Sequence, residues 1–285
     1  MERAPGTLVG MFFQKILSRF RARFAGSGSA VATEYLDHPL IGTSLFFPRQ
    51  CDPDGASFVD CGQVRLSCYR YDIHPKAGWL IHFHGNGELA ADYAQGQSSA
   101  LFGLGVNLCF AEYRGYGAST GVPTLRSLLD DCECHIRALG VPANRVVAYG
   151  RSLGSLAAIE LASRHPDLAG LILESGIADL LERLEIRVNT ASLGIPPAAL
   201  AADVARHFNN RAKLQGYPGP MLVIHAEKDG MIDPRHARNL LAWGGGSDKE
   251  LILFPLGDHN TILRFNHVDY RNVVRAFLDR LGLTA

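Results

Sequence analysis

Short apolar runs alternate with amphipathic stretches along most of the chain. The apolar runs are continuous, which is typical of strands buried on both faces of a parallel sheet; they occupy residues 79–83, 106–110, 145–149, 171–173, 221–224 and 251–254. An earlier stretch, residues 63–71, alternates in the manner of a half-exposed strand. The helix-like stretches between them are residues 88–103, 124–139, 155–164, 234–243 and 267–281. This alternation predicts an α/β fold with a mostly parallel, doubly wound sheet flanked by helices.

One interval, residues 177–215, is longer than a single crossover needs. It is rich in leucine between Leu180 and Leu200 and has the sequence Ile195-Pro196-Pro197 at its centre. A large insertion after the carboxyl end of a strand lies over the site in such sheets. We therefore expect a small helical cap with an apolar underside within one domain spanning residues 33–285. An extra helix pair without a ligand role would have the same composition.

Residues 1–32 differ from the rest of the chain. Apolar side chains recur at helical spacing from Phe13 to Phe24, basic residues are interleaved with them, and Glu2 is the only acidic residue. The pattern predicts a basic amphipathic extension, followed by a flexible joint at residues 25–29. Residues 11–24 would then contact a membrane surface or dock on the domain or on a second copy of the chain. A transit peptide has a similar composition, whereas a secretory signal fits poorly.

The composition excludes several classes of protein. The 285 residues contain 28 basic and 28 acidic side chains, so no global positive charge recruits nucleic acid. No apolar run approaches the roughly 18 residues that a membrane span needs. The six cysteines contain no Cys-x-x-Cys pair, so no zinc or other metal site is expected. We interpret them as reduced, mostly buried thiols of a cytoplasmic protein.

The sequence Gly150-Arg151-Ser152-Leu153-Gly154 lies between a strand pattern and a helix pattern. A Gly-x-Ser-x-Gly sequence in this context predicts a nucleophile elbow, a sharp turn that exposes one serine hydroxyl above the sheet. The glycines leave room for the neighbouring strand and helix, and the helix N-terminus faces the charge that develops during attack. A serine that merely caps the helix is the simpler alternative.

Candidates for the base and the acid stand at the ends of two later strands. Asp229 follows the strand at residues 221–224, and His259 follows the strand at residues 251–254. The chain order Ser, Asp, His is the order found in α/β-hydrolases. Glu174 and Asp233 compete for the role of the acid, and His267 competes less well for the role of the base.

Small residues also follow the strand at residues 79–83. In the sequence His84-Gly85-Asn86-Gly87, the backbone N–H of Asn86 is free to form half of an oxyanion hole. The amide of Leu153, directly after the serine, would form the other half.

Together, these motifs and Glu112-Tyr113-Arg114-Gly115-Tyr116-Gly117 resemble those of the α/β-hydrolase superfamily. The closest resemblance is to the α/β-hydrolase domain-containing serine hydrolases, which include small bacterial esterases and eukaryotic protein depalmitoylases. The resemblance runs from about residue 60 to the C-terminus. It implies an α/β-hydrolase fold with a triad of Ser152, Asp229 and His259.

The resemblance also implies further site residues. Asn86 and Leu153 would bind the oxyanion, and Gly85, Gly87, Tyr113 and the cap from about Leu180 to Leu200 would flank the substrate. The sequence departs from the pattern in two places. Ala226 stands where relatives have glycine, and Gly87-Glu88 replaces a small apolar pair, which could reshape one wall of the pocket.

The expected function is that of a cofactor-free serine hydrolase acting on a small ester or thioester with a hydrophobic acyl group. Three alternatives remain open at this point. The first is an acyl-protein thioesterase or lipid hydrolase recruited to membranes by residues 11–24. The others are an amidase or peptidase that uses the same triad and a non-catalytic binding protein on a hydrolase scaffold.

Overall fold

The protein is described by a computed structural model that covers residues 35–95 and 100–285. Its centre is an eight-stranded sheet with the order β1-β2-β4-β3-β5-β6-β7-β8. The strands are β1 Ser57–Cys61, β2 Val64–Tyr71, β3 Trp79–Phe83, β4 Asn107–Ala111, β5 Val146–Arg151, β6 Gly170–Glu174, β7 Met221–Ala226 and β8 Lys249–Phe254. In this order, all neighbouring strands from β4 to β8, including β3, pair in parallel, whereas β2 pairs antiparallel with both β1 and β4.

Helices connect most of the parallel strands. Within the described residues they are α1 Pro39–Leu45, α2 Ala90–Gln95, α3 Leu125–Leu139, α4 Gly154–Arg164, α5 Leu180–Arg187, α6 Pro197–His207, α7 Asn210–Gln215, α8 Arg235–Trp243 and α9 Ile262–Arg280. Helix α3 shows why they begin and end where they do. Thr124 and Ser127 form a reciprocal capping box at its start, and Gly140 ends it in the left-handed conformation.

The predicted doubly wound, mostly parallel sheet is confirmed. Strands β3, β5, β6 and β7 are buried at every position, as their continuous apolar runs indicated. Strand β8 differs, because it forms the sheet edge and five of its six residues are partly or fully exposed. The pattern did not predict β1 or α1, and it predicted too long a helix after β3, where α2 spans only Ala90–Gln95.

The long interval between β6 and β7 contains α5, α6 and α7, so the predicted helical cap insertion is present. Four of its apolar side chains face inward: Leu180, Leu184, Ile195 and Leu200 are all nearly or fully buried. Asn210 at the start of α7 holds the insertion to the end of the sheet, because its side-chain amide donates to the carbonyls of Ile177 and Ala178.

The predicted amphipathic segment 11–24 and the joint at residues 25–29 lie outside the described residues. Among the residues that are described, every helix is too short or too polar to cross a bilayer.

A disulfide joins Cys61 at the end of β1 to Cys134 in α3. The expectation that all six cysteines are reduced is therefore wrong for this pair, and the other four are free thiols. The pairing is a tertiary effect. The two cysteines lie 73 residues apart in the chain, and folding brings their Cα atoms to 5.7 Å, within the range that a disulfide spans. No local spacing could indicate it.

Replacing Cys61 by serine should lower the free energy of unfolding by about 2–4 kcal/mol, because the unfolded chain loses a long-range cross-link. The measurement is urea unfolding of the oxidised protein, with Cys51→Ser as the control, since Cys51 is a half-buried free thiol. Reduction of the wild-type protein should reproduce the loss. Equal unfolding midpoints for the oxidised wild type and Cys61→Ser would contradict this prediction.

Candidate active site

Ser152 occupies a strained turn between β5 and α4. Its φ is 51°, in the left-handed region that residues other than glycine rarely adopt. The flanking glycines are required by close packing. A Cβ atom on Gly150 would lie 2.4 Å from the carbonyl oxygen of Gly154, and one on Gly154 would lie 2.1 Å from that of Phe83. This is the geometry of a nucleophile elbow.

Two loops from other strands bring partners to the serine. His259, in the loop after β8, has its Nε2 atom 3.0 Å from Ser152 Oγ. Its Nδ1 atom lies 2.8 Å from Oδ2 of Asp229, in the loop after β7. With Nδ1–H donating to the carboxylate, Nε2 is free to accept the serine proton. The three side chains therefore form a continuous hydrogen-bonded chain that ends at the serine hydroxyl.

Asp229 is buried and surrounded by donors. Burial by itself raises the pKa of this carboxyl group. The hydrogen bond from His259 and the backbone N–H groups of Met231 and Ile232, which donate to Oδ1, outweigh burial and hold the pKa below its ordinary value. Asp229 is therefore ionised at neutral pH, in the form that can orient and stabilise an imidazolium.

The competing candidates lie elsewhere. The Glu174 carboxylate binds Arg151 and the hydroxyls of Tyr149 and Tyr270, away from His259. Asp233 accepts a hydrogen bond from the Arg235 amide near the start of α8 and is exposed. His267 is exposed on α9.

The two expected oxyanion donors flank the serine. Within the part of the chain that the structure describes, the backbone N–H groups of Asn86 and Leu153 donate to no other group. The Asn86 side chain fixes its loop, because its oxygen accepts from Tyr116 Oη at 2.8 Å and from the Phe47 amide at 3.1 Å. Asn86 and Leu153 also line the same cavity as Ser152.

A cavity of about 90 Å³ opens at Ser152. Its lining combines apolar side chains, some of them from the cap, with three arginines. The lining residues are Leu45, Asn86, Leu125, Arg151, Ser152, Leu153, Ile177, Leu180, Arg183, Arg187, Met231, Ile232, His259 and Asn260. Of the three helices of the cap, only α5 contributes to the lining, through Leu180, Arg183 and Arg187.

Three residues expected beside the substrate lie outside this lining, which corrects that expectation. Tyr113 is buried behind the loop after β3, where its hydroxyl donates to the carbonyl of His84 at 2.6 Å. Gly85 is covered by Arg151 and Glu88, and Gly87 adopts a positive φ beside Phe47. These residues shape the loop that carries Asn86 and do not form the cavity wall.

Arg151 lies between Gly150 and Ser152 in the elbow, and the sequence patterns did not single it out. Its guanidinium is buried, pairs with Glu88 and Glu174, and donates to the carbonyl oxygen of His259 at 2.7 Å. Glu88 in turn accepts from the Gly85 amide at 2.7 Å. One side chain therefore ties together the strand of the serine, the loop of the histidine and the loop of the oxyanion amide.

Glu88 explains one departure from the α/β-hydrolase pattern. Instead of reshaping the wall of the Ser152 cavity, its carboxylate turns away and neutralises Arg151, with further hydrogen bonds from Gly85 and Tyr93. Burial alone raises the pKa of Glu88, and the charge of Arg151 with these donors lowers it below its ordinary 4.5. In the sequence, the only sign of this contact was the presence of both an arginine inside the elbow and an acidic residue just after Asn86 and Gly87.

Among residues 35–95 and 100–285, no group of three His, Cys, Asp or Glu side chains is arranged to hold a metal ion.

The sheet order, the strained serine and the cap define an α/β-hydrolase. Residues 74–216, half of the chain, match the family described as serine aminopeptidase, S33, and the chain belongs to that family. It is 30% identical over 224 residues to the α/β-hydrolase domain-containing protein aho-3 of Caenorhabditis elegans, covering 75% of this chain and 62% of that protein. A Saccharomyces cerevisiae protein described as an uncharacterized membrane protein is 32% identical over 188 residues, 63% of each chain. The matched region thus spans about three fifths of these relatives.

Solved structures show the same fold. The Pyrococcus furiosus esterase Pf2001 superposes with a TM-score of 0.65 at 17% identity, covering 83% of this chain and 98% of that one. The Paleococcus ferrophilus monoacylglycerol lipase gives a TM-score of 0.59 at 18% identity, covering 75% of this chain and 98% of that one. The fold is therefore that of esterase- and lipase-type α/β-hydrolases.

Replacing Arg151 by methionine should lower the free energy of unfolding at pH 7 by about 3–5 kcal/mol, because Glu88 and Glu174 become buried charges without a cation. In the wild type, ionised Glu88 adds to the free energy of unfolding above pH 4.5. This contribution is lost as the pH falls through the depressed pKa of Glu88 in the folded state. In the variant that pKa rises, so the difference between the two proteins should shrink towards pH 4.

Urea unfolding at pH 7 and pH 4 measures this difference. Arg235→Met is the matched control, since it breaks an exposed ion pair with Glu182 and should cost no more than about 1 kcal/mol. A loss in Arg151→Met that is the same at both pH values would show that the unpaired carboxylates are not its cause.

Proposed function

We propose that the protein is a serine hydrolase that cleaves carboxylic esters or thioesters through an acyl-enzyme intermediate. The observation that carries this proposal is the hydrogen-bonded chain from Asp229 through His259 to Ser152, at distances of 2.8 and 3.0 Å, with Ser152 and His259 in the lining of a surface cavity.

In the first half of the reaction, Ser152 Oγ attacks the acyl carbonyl carbon while His259 Nε2 takes the hydroxyl proton. Asp229 holds the ring by its Nδ1–H and stabilises the imidazolium. The negative oxygen of the tetrahedral intermediate would bind the amides of Asn86 and Leu153. As the intermediate collapses, His259 gives its proton to the departing alcohol or thiol and the acyl group stays on Ser152.

In the second half, water replaces the leaving group. His259 removes a proton from this water as it attacks the acyl carbon, and the same two amides hold the oxyanion. The proton then returns to Ser152 Oγ, which releases the carboxylic acid. The apolar side chains of Leu45, Leu125 and Leu180 form the surroundings that suit a hydrophobic acyl group.

Cleavage of an N-terminal peptide bond, as the family description suggests, fits this cavity less well. Recognition of a free ammonium group needs an acidic partner, and the charged groups in the lining are Arg151, Arg183 and Arg187. Arg151 is paired with Glu88 and Glu174, but Arg183 and Arg187 would repel an ammonium group, and for this reason we favour esters over aminopeptidase substrates.

Ser152→Ala should abolish labelling by a fluorescent fluorophosphonate, and Asp229→Asn should lower kcat for a 4-nitrophenyl ester by about 10⁴, because the imidazole loses its correct tautomer. Asp233→Asn is the matched control and should retain activity, since this carboxylate is exposed and contacts the start of α8. Near-normal turnover in Asp229→Asn, or labelling that survives in a folded Ser152→Ala protein, would refute the assignment.

A second candidate is an acyl-protein thioesterase or lipid hydrolase that works at a membrane surface. Exposed apolar side chains at the cavity mouth favour it: Phe47 is 47% exposed, Ile186 65% and Met231 42%. Met231 lines the cavity, Ile186 adjoins Arg187 on α5, and Phe47 packs beneath Arg187. The similarity to a yeast protein described as a membrane protein points the same way.

Co-sedimentation with anionic liposomes tests this candidate. The full chain should co-sediment at low salt, and the double variant Phe47→Ser/Ile186→Ser and a chain truncated before Ala25 should each bind less. Val268→Ser is the matched control, because Val268 is 67% exposed on α9 and does not line the cavity. Absence of the full chain from the liposome pellet would eliminate membrane recruitment.

A further inference from the structure

Helix α5 of the cap presents two arginines to the Ser152 cavity. Arg183 and Arg187 are four residues apart, one turn along the helix, and both belong to the cavity lining with Ser152 and His259. Side chains at this spacing are neighbours on one helix face, and like charges there are mutually destabilising. A folded protein that keeps such a pair beside its reactive serine invites a functional explanation.

Neither arginine has an acidic partner among the described residues. The nearby carboxylates are engaged, since Glu182 binds Arg235 and lies 3.5 Å from His236, and Asp229 binds His259. The guanidinium of Arg187 lies 5.7 Å from the ring centre of Phe47. Arg151 in the same lining is fully neutralised by Glu88 and Glu174, so the unbalanced positive charge of the cavity comes from α5.

Arg183 is also partly withdrawn from water. Burial and the neighbouring charge of Arg187 lower the pKa of its guanidinium from the ordinary value, although the charges of Glu182 and Asp229 act in the opposite direction. The group stays charged, and an anion bound beside it would relieve both effects. A guanidinium offers a planar set of donors that matches the oxygen atoms of a carboxylate or a phosphate.

We propose that Arg183 and Arg187 form an anion-binding subsite, and that the substrate is an ester or thioester carrying a carboxylate or phosphate group besides its hydrophobic acyl chain. This inference rests on the proposed hydrolase function and narrows its substrate class. The leucines of the lining receive the apolar part, while Arg183 and Arg187 bind the anionic part.

Two pairs of matched substrates test the subsite and separate the two anions. The first pair is 4-nitrophenyl hexanoate and the 4-nitrophenyl monoester of adipic acid, in which a terminal carboxylate replaces the methyl group. The second pair is 1-hexanoylglycerol and its 3-phosphate. The anionic member of at least one pair should have a kcat/KM higher by about tenfold or more, chiefly through a lower KM. The preference should fall as ionic strength rises.

The preference should depend on α5. In Arg183→Gln/Arg187→Gln, the ratio of the anionic to the neutral substrate should fall to about one or below, and Arg183→Lys should keep part of the preference because the charge remains. Arg238→Gln makes the same change in charge on an exposed position of α8 outside the cavity and should leave the ratio unchanged.

Failure of this inference can be distinguished from failure of the proposed function. Hydrolysis of the neutral esters with no preference for either anion would overturn the subsite and leave the hydrolase standing. Should no ester be turned over, calorimetry on Ser152→Ala still measures binding of each intact ester. Equal affinity of that variant for the anionic and neutral members of both pairs would also overturn the subsite.

Discussion

The turn at Ser152 depends on how closely α4 can approach β3 and β5. Because Gly150 and Gly154 lack side chains, the chain reverses within a few residues and holds Ser152 at a φ of 51°. Such strain costs about 1–3 kcal/mol and persists only where the surroundings enforce it. Here the amide of Ser152 donates to the carbonyl of Glu174 at 2.9 Å, and Ser155 Oγ donates to the carbonyl of Ser152 at 2.6 Å. The exposed hydroxyl is therefore a consequence of backbone packing.

Arg151 extends this constraint to the neighbouring loops. A buried guanidinium with two carboxylates is not by itself a strong source of stability, since desolvation offsets much of the attraction. Its position suggests another role, because the same group contacts the carbonyl of His259 and, through Glu88, the loop of Asn86. The ion pairs of Arg151 thus hold groups from three strand ends at fixed separations, as the proposed reaction requires.

The cap adds chemistry that the sheet does not contain. The loops at the strand ends carry Ser152, Asp229 and His259, and the proposed roles of these groups do not depend on the substrate. Helix α5 instead contributes one apolar side chain, Leu180, and two cationic side chains, Arg183 and Arg187. A lining that combines apolar side chains with the two arginines of α5 suits the amphiphilic anions proposed above as substrates.

Much of the fold and the three central residues followed from sequence alone. Buried parallel strands have continuous apolar runs, and the carboxyl ends of such strands meet at one edge, so Ser152, Asp229 and His259 could be expected together. Strand β1 and helix α1 have no such continuous apolar run in their sequences, so neither was predicted. Four features appear only in the tertiary structure: the contact of His259 with Asp229 and not with Glu174, the pairing of Arg151 with Glu88, the Cys61–Cys134 disulfide and the paired arginines of α5 in the cavity lining. Each of these depends on which distant side chains share a buried volume, and local periodicity carries no information about that.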